Sequence, residues 1–219
     1  MPQADRLRSE ASSESSTELL AEQCPAYILC GGQSARFGAD KARVRIEDQP
    51  HLLRLASSLR RQGHAPYFVA DHQERYLDLG IAAIRDAAPE CGPIAGLVAA
   101  LDHRATQLGE GWLLLISCDQ LLWQPSFFRP LADRATGDRW ASTFCDPSLQ
   151  PIPGLYHTQM QADAAAALTQ RQLSLKRMLQ SMGERVATVE AEENPRDWSF
   201  NTPAELQQLL RERSPKDEN

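Results

Sequence analysis

The segment Leu29-Cys30-Gly31-Gly32-Gln33-Ser34-Ala35-Arg36-Phe37-Gly38-Ala39-Asp40-Lys41 combines glycines with two cationic side chains. Glycine lets backbone N–H groups approach an anion closely and allows positive φ. Arg36 offers a planar fork and Lys41 a point charge, a pair able to neutralise a polyphosphate. The segment follows the apolar run Ala26–Cys30. A glycine loop after a first strand is a common place for an α/β sheet to hold a nucleotide. The pattern is neither GxGxxG nor the P-loop GxxxxGK[ST], and a plain strand–turn with incidental charges competes with the nucleotide reading.

Three further motifs carry chemistry. Cys118-Asp119 ends the apolar run Trp112–Ser117. A carboxylate at the carboxyl end of a central strand, facing a Gly-Arg-Lys loop, can hold Mg²⁺ on substrate phosphates. It can equally cap the next turn. In Arg85-Asp86-Ala87-Ala88-Pro89-Glu90-Cys91-Gly92-Pro93-Ile94-Ala95-Gly96-Leu97, an Asp ends a strand and Gly-Pro opens a helix. Gly96 inside that helix costs about 1 kcal/mol relative to Ala. Its presence implies either close approach of another group or tight helix–sheet packing. In Phe200-Asn201-Thr202-Pro203-Ala204-Glu205-Leu206, Thr202 is a good N-cap, Pro203 a good first residue, and Glu205 sits at capping-box spacing. Capping leaves Asn201 unexplained.

The elements that must position these residues alternate. Strands are predicted at Ala26–Cys30, Tyr67–Ala70, Ile81–Ile84, Trp112–Ser117, Trp140–Phe144, Ile152–Tyr156 and Arg185–Val189. Helical spacing of apolar residues predicts helices at Pro50–Gln62, Pro93–His103, Ser126–Arg134, Gln161–Thr169, Ser174–Met182 and Pro203–Leu210. Strand and helix in alternation imply one α/β domain, a mostly parallel sheet with helices on both faces. The polar, Ser/Glu-rich residues 1–23 read as a disordered tail, 24–212 as the domain and 213–219 as a frayed end.

Composition excludes several classes. The chain has 219 residues, 42% hydrophobic, with a formal net charge of -6. That apolar content suits a globular core. The acidic balance argues against nucleic-acid partners. No stretch approaches the ~20 apolar residues of a membrane span, so no membrane partner is expected. Cys24, Cys30, Cys91, Cys118 and Cys145 are odd in number and widely spaced, which implies reduced thiols in a cytoplasmic protein. His51, His64, His72, His103 and His157 are scattered and read as surface or packing residues. A dehydrogenase is disfavoured by the missing GxGxxG.

The four motifs in this order resemble the molybdenum cofactor guanylyltransferase family, the MobA-like nucleotidyltransferases. The resemblance spans Ala26 to about Leu210. It implies a Rossmann-like fold of the nucleotide-diphospho-sugar transferase type. It also implies transfer of GMP from GTP to the terminal phosphate of molybdenum-molybdopterin, with release of pyrophosphate. By resemblance, Leu29, Cys30, Gly31 and Gly32 contact the nucleotide, and Lys41 its phosphates. Asp86 lies near guanine or ribose, Asp119 binds Mg²⁺, and Arg36, Lys41 and Asp119 are the catalytic set. Asn201 falls on the molybdopterin side or near the metal. Molybdoenzymes or their chaperones are the implied recipients of the product. The chain departs from the family pattern in places. Cys30 replaces Ala, Phe37 replaces Met, and Gln120-Leu121-Leu122 replaces a Met-Pro or Thr-Pro turn. The guanine-contacting asparagine near the end of the second strand falls on Phe68, which has no hydrogen-bonding group. Cytidylyl transfer to the same cofactor, transfer to a sugar phosphate, and a non-catalytic cofactor-binding module are the competing readings.

Overall fold

The computed structural model describes residues 23–31, 37–88, 90–190 and 193–213. The tail expected at 1–23 lies outside these residues except for Gln23, as do Gly32, Arg36 and everything beyond 213. The strands are β1 (Ala26–Leu29), β2 (Arg45–Ile46), β3 (Gln49–Pro50), β4 (Pro66–Ala70), β5 (Ile84–Arg85), β6 (Trp112–Ser117), β7 (Ala141–Cys145), β8 (Leu149–His157) and β9 (Val186–Val189). The helices are α1 (His51–Arg60), α2 (Pro93–Gln107), α3 (Pro125–Arg134), α4 (Gln161–Thr169), α5 (Leu175–Ser181) and α6 (Pro203–Arg213).

Seven strands form one sheet in the order β5-β4-β1-β6-β8-β7-β9, and β2 pairs with β3 in a separate ribbon. β5, β4, β1 and β6 are mutually parallel. β8 runs antiparallel between β6 and β7. The reason is local: only residues 146–148 separate β7 from β8, with the Asp146 N–H donating to the Ser148 carbonyl at 3.2 Å. So short a link permits a hairpin and no crossover.

Alternating side chains divide the core between the two faces. Ile28, Phe68, Leu114 and Ile116 pack with Leu55 and Leu59 of α1, Phe127 and Leu131 of α3, and Leu206 and Leu209 of α6. Tyr27, Val69, Leu113 and Leu115 pack on the opposite face with Ile94 and Leu97 of α2, Ala164 of α4 and Met178 of α5. Leu113 to Ile116 are fully buried, as expected of a central strand covered on both sides.

The third predicted strand is displaced, from Ile81–Ile84 to Ile84–Arg85. The Ile81 N–H donates to the Tyr76 carbonyl and the Ala83 N–H to the Gln73 carbonyl, so these groups serve the preceding turn instead of β4. All five cysteines are free thiols. Among the described residues no helix is long and apolar enough to cross a membrane.

Candidate active site

From β1 the chain crosses to β4 on one side, and from β5 it returns to β6 on the other. The strand order therefore reverses at β1/β6, and a crevice opens outside the carboxyl ends of these strands. It is a cleft of about 700 Å³. Leu29 ends β1 and Gly31 follows it, Asp86 follows β5, Asp119 follows β6, and Lys41 opens the 3-10 turn capped by Asp40; all five line the cleft.

Close backbone approach explains the glycines. A Cβ on Gly31 would lie 2.7 Å from the backbone nitrogen of Asp71, so only glycine lets the loop leave β1 against the end of β4. A Cβ on Gly96 would lie 2.6 Å from a methyl of Leu29. The tight packing of α2 on the sheet thus accounts for Gly96. The same packing brings Gly92 and Pro93, at the N-terminus of α2, to the cleft wall.

At one end of the cleft a cation and a carboxylate are fixed by the same short segment. The Lys41 ammonium donates to the Phe200 carbonyl at 3.0 Å and to Asn201 Oδ1 at 2.9 Å. Lys41 is only 9% exposed, so its charge is held in place and poorly screened. The Phe200 N–H donates to the Asp119 carbonyl, and the Leu121 N–H to the Trp198 carbonyl. Residues 198–201 therefore anchor the Asp119 turn and the Lys41 head together. Burial raises the Asp119 carboxyl above its ordinary range, while Ser117 and the charge of Lys41 work in the other direction. A buried carboxylate of this kind gains from a cation supplied with the ligand.

The other end of the cleft is rich in acceptors. Asp86 is pushed up by burial. Its N–H donates to the Ala70 carbonyl at 2.7 Å, which ties it to the end of β4. Asp71 also lines this end. Phe68 does not. Its ring faces the α1 side of the sheet and is 8% exposed, whereas Val69 and Asp71 point into the cleft. Phe68 is therefore turned away from the cleft, and Asp71 is the hydrogen-bonding side chain that the end of this strand presents to it. Side chains three apart on an extended chain face opposite ways.

The Cys30 side chain is also turned away. Its thiol donates to the Val69 carbonyl, its N–H donates to the same carbonyl, and its own carbonyl accepts from the Tyr76 hydroxyl at 2.6 Å. Burial raises both the Cys30 and the Cys118 thiols, the latter to about 12. Neither is therefore a nucleophile at neutral pH. Asn201 meets the site through Lys41.

Residues 26–187 match the family model described as the MobA-like NTP transferase domain. The chain belongs to that family. This MobA-like transferase is similar to a probable molybdenum cofactor guanylyltransferase of Flavobacterium johnsoniae, 24% identical over 86% of the chain and 97% of the relative. It is also similar to the molybdenum cofactor guanylyltransferase of Serratia proteamaculans, 29% identical over 75% of the chain and 83% of the relative. Its fold matches molybdopterin-guanine dinucleotide biosynthesis protein A from Archaeoglobus fulgidus with a TM-score of 0.69 at 20% identity, covering 84% of this chain and 95% of that one. The MobA-like chain is a nucleotidyltransferase, a class consistent with a Lys–Asp pair at one end of a nucleotide-sized cleft.

Sequence reasoning did not single out Asp71 or Ile152, which line the cleft, or Arg75, which pairs with Asp71 from outside it. The first had a usable signal, an Asp directly after a strand, as at Asp86. The other two become visible only when distant segments meet.

Proposed function

We propose that this chain transfers GMP from GTP to the terminal phosphate of molybdenum-molybdopterin, releasing pyrophosphate and forming molybdopterin guanine dinucleotide. A phosphate oxygen of the acceptor bonds to the α-phosphorus while the bond to pyrophosphate breaks. The attacking phosphate is already ionised, so no general base is needed. The requirement is alignment and neutralisation of anions. Lys41, held by Phe200 and Asn201, supplies fixed positive charge to the triphosphate. Arg36, five residues earlier in the sequence, is assigned the same task.

Asp119 is the residue that would hold Mg²⁺, which would supply neutralisation of the triphosphate charge. Among the described residues no group of three His, Cys, Asp or Glu side chains forms a protein-only cage. One carboxylate completed by phosphate oxygens and water is how Mg²⁺ is commonly bound. Leu29, Gly31 and Gly32 flank the nucleotide, Cys30 contributing through its backbone alone. Asn201 acts from the acceptor side by holding Lys41.

The observation that carries the base assignment is the pair of carboxyl groups, Asp71 and Asp86, at the end of the cleft away from Lys41. Guanine presents adjacent N–H donors on its pairing edge. Adenine and cytosine present an amine beside a ring acceptor, which a carboxylate repels. Pyrophosphate release should be compared for GTP, ATP and CTP with molybdenum-molybdopterin as acceptor. GTP is expected to dominate. Equal or faster release from CTP would replace the guanylyl assignment with a cytidylyl one.

A further inference from the structure

We propose that Arg75 is a positioning residue that holds Gly31, the Asp40–Lys41 turn and the base end of the cleft in one fixed relation; this rests on the nucleotide reading above. Arg75 lies in the turn after β4 and does not line the cleft. One nitrogen of its guanidinium, Nη1, donates to the Gly31 carbonyl at 3.3 Å and pairs with Asp71 Oδ1 at 2.8 Å. The other, Nη2, donates to Asp40 Oδ2 at 3.3 Å. Gly31 follows β1, and Asp40 directly precedes Lys41. One planar fork thus ties together the exit from β1, the residue before Lys41 and the carboxylate at the base end.

Neighbouring contacts fix the fork. The guanidinium sits over the Tyr76 ring, 5.6 Å from its centroid. The Tyr76 hydroxyl donates to the Cys30 carbonyl and lies 3.1 Å from Asp40 Oδ2. Asp40 Oδ1 in turn accepts from the Ala42 N–H at 3.0 Å and so caps the turn that carries Lys41. Partial burial works against the charge on Asp71, but the hydrogen bond and charge of Arg75 hold its carboxyl below the usual range. Asp71 therefore meets the base as an oriented acceptor. Three simultaneous partners on two nitrogens of one head group are a task for guanidinium; an ammonium cannot reproduce the fork.

An ordinary surface ion pair would contribute little to stability and nothing to base choice. The two roles separate in a binding experiment. Calorimetric affinities for GTP, ATP and CTP should be measured on the wild-type chain, Arg75→Lys and Arg75→Gln, with melting temperatures on the same samples. Arg75→Lys keeps the charge and carries the test if Arg75→Gln does not fold. Both substitutions are expected to weaken GTP binding roughly tenfold and to narrow its margin over CTP, with Arg75→Lys melting near the wild type. Unchanged affinities would overturn the positioning role, whatever the melting temperature. So would uniform weakening of all three nucleotides with the GTP-to-CTP ratio intact, since that would uncouple Arg75 from the base end. Failure of the wild-type chain to bind GTP would overturn the nucleotide reading itself, a result read on a different sample.

Discussion

Asp119 is a carboxylate that burial disfavours as an anion, set within reach of the field of a buried lysine. Replacing it by asparagine keeps the shape and removes the charge. Asp119→Asn should melt near the wild-type temperature and lose ~10²–10³-fold in transfer rate, the usual size of one lost electrostatic contact to a transition state. Lys41→Ala should raise the KM for GTP as well as lower kcat, because the ammonium meets the phosphates before and during reaction. Melting temperature and pyrophosphate release on the same samples check both. A destabilised but fully active Asp119→Asn would make this residue a turn cap, a role whose loss costs about 1 kcal/mol. Much of the cleft was legible at this scale because Leu29, Gly31, Asp86 and Asp119 each lie at or just beyond the end of a strand, and residues at strand ends converge in a parallel sheet. Asp71 was legible too, yet Phe68 drew attention in its place. The strand's alternation, which sends Phe68 into the core and Asp71 into the cleft, is the cue that separates them. Arg75 could not be read from the sequence, since its meaning lies in three partners from separate segments.

The element that fixes the Lys41 end of the site is the start of α6. Thr202 and Glu205 form the predicted capping box: the Glu205 N–H donates to Thr202 Oγ1 at 3.2 Å, and Glu205 Oε2 accepts from the Thr202 N–H at 3.1 Å. The same Oε2 accepts from the Asn201 N–H at 2.5 Å. The cap therefore also fixes the residue that holds Lys41. Glu205→Ala should lower stability by about 1 kcal/mol. It should also raise the KM for GTP several-fold without touching the nucleotide, whereas Glu205→Gln, which retains an acceptor, should restore both. Steady-state kinetics beside thermal melting on each variant checks this, and an unaltered KM in Glu205→Ala would mean that Asn201 is held by other contacts. Helices were the most legible elements, because their apolar spacing is set by burial. β5 was misplaced because the donors of Ile81 and Ala83 turn back to the preceding loop. The direction of β8 follows from a short hairpin link, which is a matter of connection length and not of strand composition.

At the scale of the whole molecule, the interior holds a titratable group that binds folding to pH. His51 opens α1 fully buried, its ring edge-on to Phe200 with a centroid distance of 5.1 Å. Burial pulls its imidazole down to about 4; the backbone of Cys118 and Gln120 opposes this, and the charges of Arg54 and Lys41 add to it. The unfolded chain binds the proton near 6.5, so stability is full above that pH and declines as pH falls toward 4. The loss by pH 4 should reach about 3 kcal/mol. His51→Phe should flatten that part of the stability–pH curve, measured by denaturant unfolding across pH. The fold class itself was legible from alternating strands and helices. The central claim, that the cleft at the β1/β6 reversal transfers a guanylyl group, is tested most directly with GTP labelled at the α-phosphate and molybdenum-molybdopterin as acceptor. The label should appear in the cofactor dinucleotide, with unlabelled pyrophosphate released in equal amount and both lost in Asp119→Asn. Label recovered only as free GMP, or as unreacted GTP, would contradict it.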